Sequence, residues 1–338
     1  MRLGFYMGYA QPGTSPLELL ELAKLAESLG YESAWAAEAW GTDAVTPLAW
    51  LGAQTSTIAL GTAIMQIPGR SPANTAMTAA TLDLLSGGRV RLGLGTSGPQ
   101  VVEGWHGQEW GQPLEKTREY VSIVRSALAR ERLEHHGRHY DIPVQGGTGL
   151  GKPLRLMLRP VRSEIPIYLA AIAPKAVEQA FEIADGWLPI FWSPEQARNV
   201  FPLDRARDGF DIAPSVPALL IDDVEAGRNA LKEYYAFYIG GMGARGKNFY
   251  YDLACRFGYE SEATKIQDAY LSGRKDEAAA LIPAELLEKT ALIGPDGYVA
   301  ERLAAFRESG VTTLNVTPLA ATHAARVADI ERVRDLIG

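Results

Sequence analysis

The chain has 338 residues, with 33 Lys and Arg against 40 Asp and Glu and a formal net charge of −7. Mild acidity with dispersed basic residues argues against a nucleic-acid surface, which needs clustered positive charge. The 47% hydrophobic and 22% charged composition is that of a globular protein with a large core. No run approaches the roughly 18–20 apolar residues of a membrane helix and no signal-like start appears, so no membrane span and a cytoplasmic location are expected.

RLGFYM opens the chain as a short apolar strand, and a Gly/Pro loop follows it. SPLELLELAKLAESLG then carries Leu17, Leu20, Leu22, Ala23, Leu25, Ala26 and Leu29 at helical spacing. Ser15 suits the N-cap, Pro16 the N1 and Glu18 the N3 position, and Gly30 suits the helix end. The same strand, loop and helix order repeats in ESAWAAE with a helix over 44–55, STIALGTAI with 71–85, and RVRLGLG with 113–130. Four such units in succession predict parallel strands, which are buried on both faces and therefore read as continuous apolar runs.

After an irregular stretch at about 131–163 the rhythm resumes. IPIYLAA precedes a helix over 174–184, GWLPIF one over 194–208, SVPALLI one over 223–239, and VTTLNVTP one over 322–337. Eight units predict an α/β fold of the TIM (β/α)8 barrel type. An open doubly wound sheet is disfavoured because no compact GxGxxG unit follows the first strand, and LGLGTSG at 92–98 lacks that spacing. One domain spanning 1–338 is expected, with insertions after strands 4 and 7 at about 98–163 and 241–293. The single cysteine, Cys255, permits no intramolecular disulfide and no cysteine-rich zinc site, so packing has to hold the fold.

Loops that follow the strands gather at the C-terminal face of such a barrel, where sites are built. Strand two ends in Glu38 beside Trp40, a rim carboxylate that suits either chemistry or solvation and capping. Strand three ends in Gly61, Thr62, Ala63 and Ile64, small residues that admit a flat ring or serve tight packing. Strand four runs through Gly93 and Gly95 into Thr96, Ser97 and Gly98, whose amides and hydroxyls suit phosphate or ribitol oxygens. Downstream, Trp105 and His106 are either a substrate-facing pair or a structural anchor. Strand five leads through Ala171, Ile172 and Ala173 to Pro174 and Lys175, a helix start whose amides attract an anion.

No HExxH, GxSxG, Walker or EF-hand pattern occurs. His135, His136 and His139 lie among arginines and read as a solvated turn, so no metal is expected. The segment 240–251 reads either as a mobile cover hinged on its glycines, with Arg245 and Lys247 toward an anionic tail, or as a surface connection. Trp40, Trp105, Trp110 and Trp192 favour a bulky or hydrophobic small-molecule substrate.

These segments together resemble the luciferase-like superfamily of barrel oxidoreductases, and within it the group that uses the deazaflavin coenzyme F420. The likeness runs from RLGFYM to the final helix. It is carried most specifically by TAATLDLLSGGRVRLGLG and by IPIYLAAIAPKAVEQAFEIADGWLPIF. The resemblance implies a tricyclic ring at the barrel mouth against a bulge after strand three, with a non-prolyl cis peptide that maps to Ala63-Ile64. It implies Glu38 near the reactive face, Thr96, Ser97 and Gly98 beside the cofactor tail, and Ala171 to Lys175 as a segment whose amides meet its phosphate. It further implies hydride transfer between the ring and an organic substrate, with Glu38 or His106 managing the proton, and a homodimer. An FMN-dependent monooxygenase of the same superfamily and a noncatalytic cofactor-binding barrel are the competing readings.

Overall fold

The computed structural model describes residues 1–8, 15–162 and 164–338; the Gly/Pro loop over 9–14 expected from the sequence lies outside them. Eight strands carry the architecture: β1 Arg2–Gly8, β2 Ser33–Ala36, β3 Ala59–Thr62, β4 Val90–Gly95, β5 Ile167–Leu169, β6 Gly186–Trp187, β7 Ser215–Leu219 and β8 Thr313–Pro318. All pair in parallel in the order β6-β5-β4-β3-β2-β1-β8-β7, which makes an α/β fold on a curled parallel sheet. At the ends of the curl, Asp211–Ile212 pairs with β6 and Ile190 bridges Ser215 of β7.

Three helices frame the first half: α1 Pro16–Ser28, α2 Val45–Gly52 and α3 Pro72–Ser86. In α3 the Ser71 hydroxyl accepts from Asn74 N at 3.2 Å, Pro72 sits in the first turn, and Gly87 ends the helix at φ 70°. Ala76, Ala79 and Ala80 turn inward, and their small size brings α3 close to the sheet. The expected helix over 194–208 is instead Ala197–Val200 and a 3-10 turn at Leu203–Arg205. Pro202 between them has no N–H to continue the ladder.

Between β4 and β5 lie α4 Pro99–Gly104, α5 Pro113–Leu128 and a hairpin of His135–His136 with Asp141–Ile142. Between β7 and β8 the chain forms Val224–Ala236, a π-helical turn at Phe237–Gly241, and four further helices from Phe249 to Thr290, before Leu292–Ile293 pairs with β7. No helix of the described residues is long and apolar enough to cross a membrane.

Polar side chains bind one another at the N-terminal ends of the strands. Arg2 reaches Asp211 Oδ1 at 2.8 Å and Glu32 Oε2 at 3.0 Å, and Arg91 pairs with Glu32. Tyr168 donates to Asp211 Oδ2 at 2.8 Å and Thr313 to Asp211 Oδ1 at 2.8 Å. Burial, and after it the Asp211 charge, pushes the Tyr168 hydroxyl pKa up, so it stays a donor.

Candidate active site

At the opposite end of the strands the loops enclose a cleft of about 1250 Å³, the open space at its mouth included. Its wall contains Glu38, Trp40, Ala63, Ile64, Gln66, Thr96, Ser97 and Gly98, and across from them Ala171, Ile172 and Ala173. Nine of the residues singled out from the sequence therefore share one space: Glu38, Ala63, Ile64, Thr96, Ser97, Gly98, Ala171, Ile172 and Ala173. Pro174 opens the next helix, Pro174–Ile183, and faces a neighbouring surface depression, while Lys175 is exposed. His106 is held behind Gln66.

The bulge after β3 shapes the floor. The Ala63-Ile64 peptide is cis, at the position the resemblance implies, and Tyr6 Oη donates to Ala63 O at 3.1 Å. The glycines of β4 answer this bulge. A Cβ on Gly93 would stand 1.8 Å from Thr62 O, and one on Gly95 would stand 2.8 Å from the Ile64 side chain. Their small size serves the packing of β4 against β3 and its bulge. Ser97 supplies what the ligand reading wanted: it sits in the left-handed region at φ 59°, with its hydroxyl toward Gln66.

Glu38 is buried at 8% exposure and its two oxygens are fully engaged. Arg70 approaches as a fork, Nη1 to Oε1 at 2.6 Å and Nη2 to Oε2 at 3.0 Å, while Gln66 N donates to Oε1 at 3.1 Å and Ala44 N to Oε2 at 3.2 Å. Four donors on one carboxylate make it an acceptor held in a single orientation. The hydrogen bond to Glu38 raises the Arg70 pKa further, so the guanidinium is charged at any working pH.

Gln66 is a cleft-lining residue that the sequence does not single out. Its main chain is tied to Glu38, its Nε2 donates to Ser97 Oγ at 2.7 Å, and its Oε1 lies 2.8 Å from His106 Nε2. With Nε2 of Gln66 donating to serine, Oε1 is the acceptor and His106 carries the proton on Nε2. Burial lowers the His106 pKa, against the pull of the Glu38 charge and with a smaller push from Arg70, and so favours the neutral imidazole. The available signal was positional: Gln66 is the one polar side chain among Met65, Ile67 and Pro68 directly after the bulge.

Residues 238–250 form another wall through Tyr238, Met242, Phe249 and Tyr250. Gly240 and Gly241 make room for packing, since a Cβ on either would stand 2.5 Å from the Tyr270 side chain. Arg245 pairs with Asp268 at 2.6 Å rather than facing the cleft. Of the four tryptophans, only Trp40 lines it; Trp192 is core, stacked on Phe201 and donating to Ser309 at 2.8 Å. Trp105 is exposed, and Trp110 packs near Phe249. His135 lies against Glu119 and His136 against Asp141, and no group of three or more ligating side chains that could hold a metal occurs among the described residues.

Deep in the cleft, Asn315 is 1% exposed, donates through Nδ2 to Ala213 O at 2.9 Å, and has no partner for Oδ1 among the described residues. That oxygen lies over Gly4 of β1, in the space a Cβ there would take, and a buried acceptor left open costs about 1–3 kcal/mol. Apolar floor, polar edge and open Gly98 together fit a tricyclic ring with an oxygen-rich tail.

Comparison with known proteins points the same way. Residues 1–313 match the luciferase-like monooxygenase family. A Mycobacterium tuberculosis protein, named as a candidate coenzyme F420-dependent oxidoreductase, is 44% identical over 351 aligned positions that cover 99% of this chain and 98% of the relative. The 5,10-methylenetetrahydromethanopterin reductase of Archaeoglobus fulgidus is 27% identical over 89% of both chains. Among solved structures, the coenzyme F420-dependent tetrahydromethanopterin reductase of Methanopyrus kandleri superposes with a TM-score of 0.80 at 23% identity, covering 99% of this chain and 98% of the other, a likeness of fold.

Proposed function

The chain belongs to the luciferase-like monooxygenase family, and within it we propose a coenzyme F420-dependent oxidoreductase that transfers a hydride between the deazaflavin ring and a bulky or hydrophobic organic substrate. The observation that carries this reading is the cleft itself, where the Ala63-Ile64 bulge, the Ser97-Gly98 loop and the Ala171–Ala173 segment line one space of about 1250 Å³. We read the curled sheet as a complete (β/α)8 barrel in one domain, with insertions after strands 4 and 7, and the working unit as a homodimer.

In this reading Ala63 and Ile64 back the ring, Thr96, Ser97 and Gly98 flank the tail, and Ala171, Ile172 and Ala173, with Pro174 and Lys175 beyond them, meet the phosphate. When bound, the reduced deazaflavin supplies a hydride from its central ring carbon. The chain's own residues position and manage the proton. Glu38 is the one carboxylate among the cleft-lining residues, and His106 stands one amide behind it through Gln66. Protonation of Glu38 requires Arg70 to release an oxygen, so Arg70 sets when that carboxylate can act. Trp40, Tyr238, Met242 and Phe249 exclude water from the mouth and select apolar substrates.

Titration of the purified protein with coenzyme F420 and, separately, with FMN tests the reading. Tight F420 binding with negligible FMN affinity, and F420 oxidation or reduction with a member of a carbonyl, alcohol or enone panel, is expected. Preferential FMN binding with oxygen consumption would replace it by the monooxygenase reading, for which the family as a whole speaks. Glu38→Gln should keep cofactor binding and lose about 100-fold in turnover; an unchanged rate removes Glu38 from the proton role.

A further inference from the structure

Ile190, just beyond β6, bridges Ser215 at the start of β7, so β7 stands four strands from β3 in either direction around the curl. The wall that faces the Ala63-Ile64 bulge across the cleft therefore includes Ser215. Side chains alternate along the strand. Val216 and Ala218 pack into the main core, while Ser215, paired in register with Asn315 of β8, turns the other way and lines the cleft. Its surroundings are apolar: Leu188 and Ala213 cluster with Trp35 and Tyr168 apart from the main core, and Pro189 and Ile190 continue the lining.

Two properties of this wall bear on what it can receive. The first is charge. Glu38 is the one charged residue on the lining, and Arg70 neutralises it. A phosphate or carboxylate brought in here would give up its water with no cation to replace it, whereas an uncharged molecule meets apolar walls. The second is hydrogen bonding. Gln66 and Ser97 bind each other, Thr96 donates to Ser97 O at 3.3 Å, and Asn315 donates to Ala213 O at 2.9 Å. The Ser215 hydroxyl has no partner among the described residues.

We propose that Ser215 is a specificity-determining residue that receives an oxygen at the far end of an uncharged, otherwise apolar substrate. The proposal deepens the function given above and rests on it: with the ring backed by Ala63 and Ile64, its open face looks toward β7, and a substrate against that face has Ser215 behind it. The hydroxyl donates to a carbonyl or ether oxygen there, and either donates to or accepts from a hydroxyl. A substrate without that oxygen leaves the serine unpaired in apolar surroundings, and one ending in an anion leaves a charge unpaired.

The test uses the protein loaded with coenzyme F420 and three ketones of one skeleton: cyclohexylcyclohexanone, and the same molecule carrying a hydroxyl or a carboxylate at the far end of its second ring. Calorimetric titration should show the hydroxyketone binding about 10-fold more tightly than the parent and at least about 100-fold more tightly than the carboxylate. Ser215→Ala should erase the advantage of the hydroxyl, and Ser215→Thr, which keeps a hydroxyl at that position, should retain it. The F420 dissociation constant, measured first, should be the same in all three proteins. A native chain that does not bind F420 overturns the cofactor reading and the proposal with it. With F420 bound, a hydroxyketone affinity indifferent to Ser215→Ala, a carboxylate accepted as well as the hydroxyl, or no binding of any of the three ketones overturns the proposal and leaves the cofactor reading standing.

Discussion

At the N-terminal ends of the strands Arg2, Glu32, Arg91, Tyr168 and Asp211 answer one another, while at the C-terminal ends Glu38, Arg70, Gln66, His106 and Ser97 form a comparable set along the wall of a cleft. Both networks are built from long-range pairs between strands, and both hold a buried carboxylate against arginine. They differ in where they stand. The first lies away from the cleft, with Asp211 taking Arg2, Tyr168 and two threonines, and Arg91 Nη1 left without a partner among the described residues. The second satisfies its own members and stands on the cleft wall, which Glu38, Gln66 and Ser97 line. A polar network remote from any cavity locks a fold, and one that fixes side chains at the edge of a void is prepared for a ligand.

Substitutions at the two ends should therefore separate stability from activity. Asp211→Ala leaves the buried Tyr168 and Thr313 hydroxyls without their acceptor while the half-exposed Arg2 keeps Glu32, and should cost about 2–3 kcal/mol in denaturant unfolding while the folded fraction keeps its turnover. A parallel loss of turnover per folded molecule would break the comparison. At the other end, Gln66→Leu keeps volume but deletes the clamped amide, and should lower kcat/KM about 10–30-fold, roughly 1.4–2 kcal/mol. Its melting temperature should move far less than that of Asp211→Ala. His106→Phe removes the donor to Gln66 Oε1 but leaves the amide bound to Ser97, and should lower kcat/KM several-fold with cofactor affinity unchanged.

The smallest effect sharpens the comparison from outside both networks. Asp329 on the last helix accepts from Leu220 N at 3.2 Å, and burial raises its carboxyl pKa to about 6 from 3.8. Between these values the folded chain keeps a proton that the unfolded chain gives up. Stability therefore falls as pH rises through that window, and the penalty is complete above it. Asp329→Asn should stabilise the protein at pH 7 by on the order of 1–2 kcal/mol and leave it unchanged below pH 3.8, as read by melting curves across pH.

The strand and helix rhythm was legible because each unit is a local pattern: apolar run, turn, 3.6-residue periodicity. It failed over 194–208, where Pro202 divides a polar stretch into two short turns. The site was legible in position and less so in reason. Gly95 lines the cleft and Gly93 does not, and the small size of both is taken up by Thr62 O and Ile64, atoms that lie 31 residues back in the chain. Gly240 and Gly241 make room for Tyr270 in the same way. Gln66 escaped because its meaning lies in Glu38, Ser97 and His106, three residues on three other segments, and no local spacing encodes that meeting. Trp192 looked like a mouth residue and is core, since sequence order alone does not say on which side of a short strand end a side chain falls.

The most direct measurement is a crystal structure of the protein with coenzyme F420. The account predicts the ring against Ala63 and Ile64 with its edge within hydrogen-bond distance of Gln66, Ser97 or Asn315, and the tail running past Gly98 toward Ala173. A ring bound elsewhere, or a mouth that stays closed by Tyr238, Met242 and Phe249 with the cofactor in saturating excess, would contradict it.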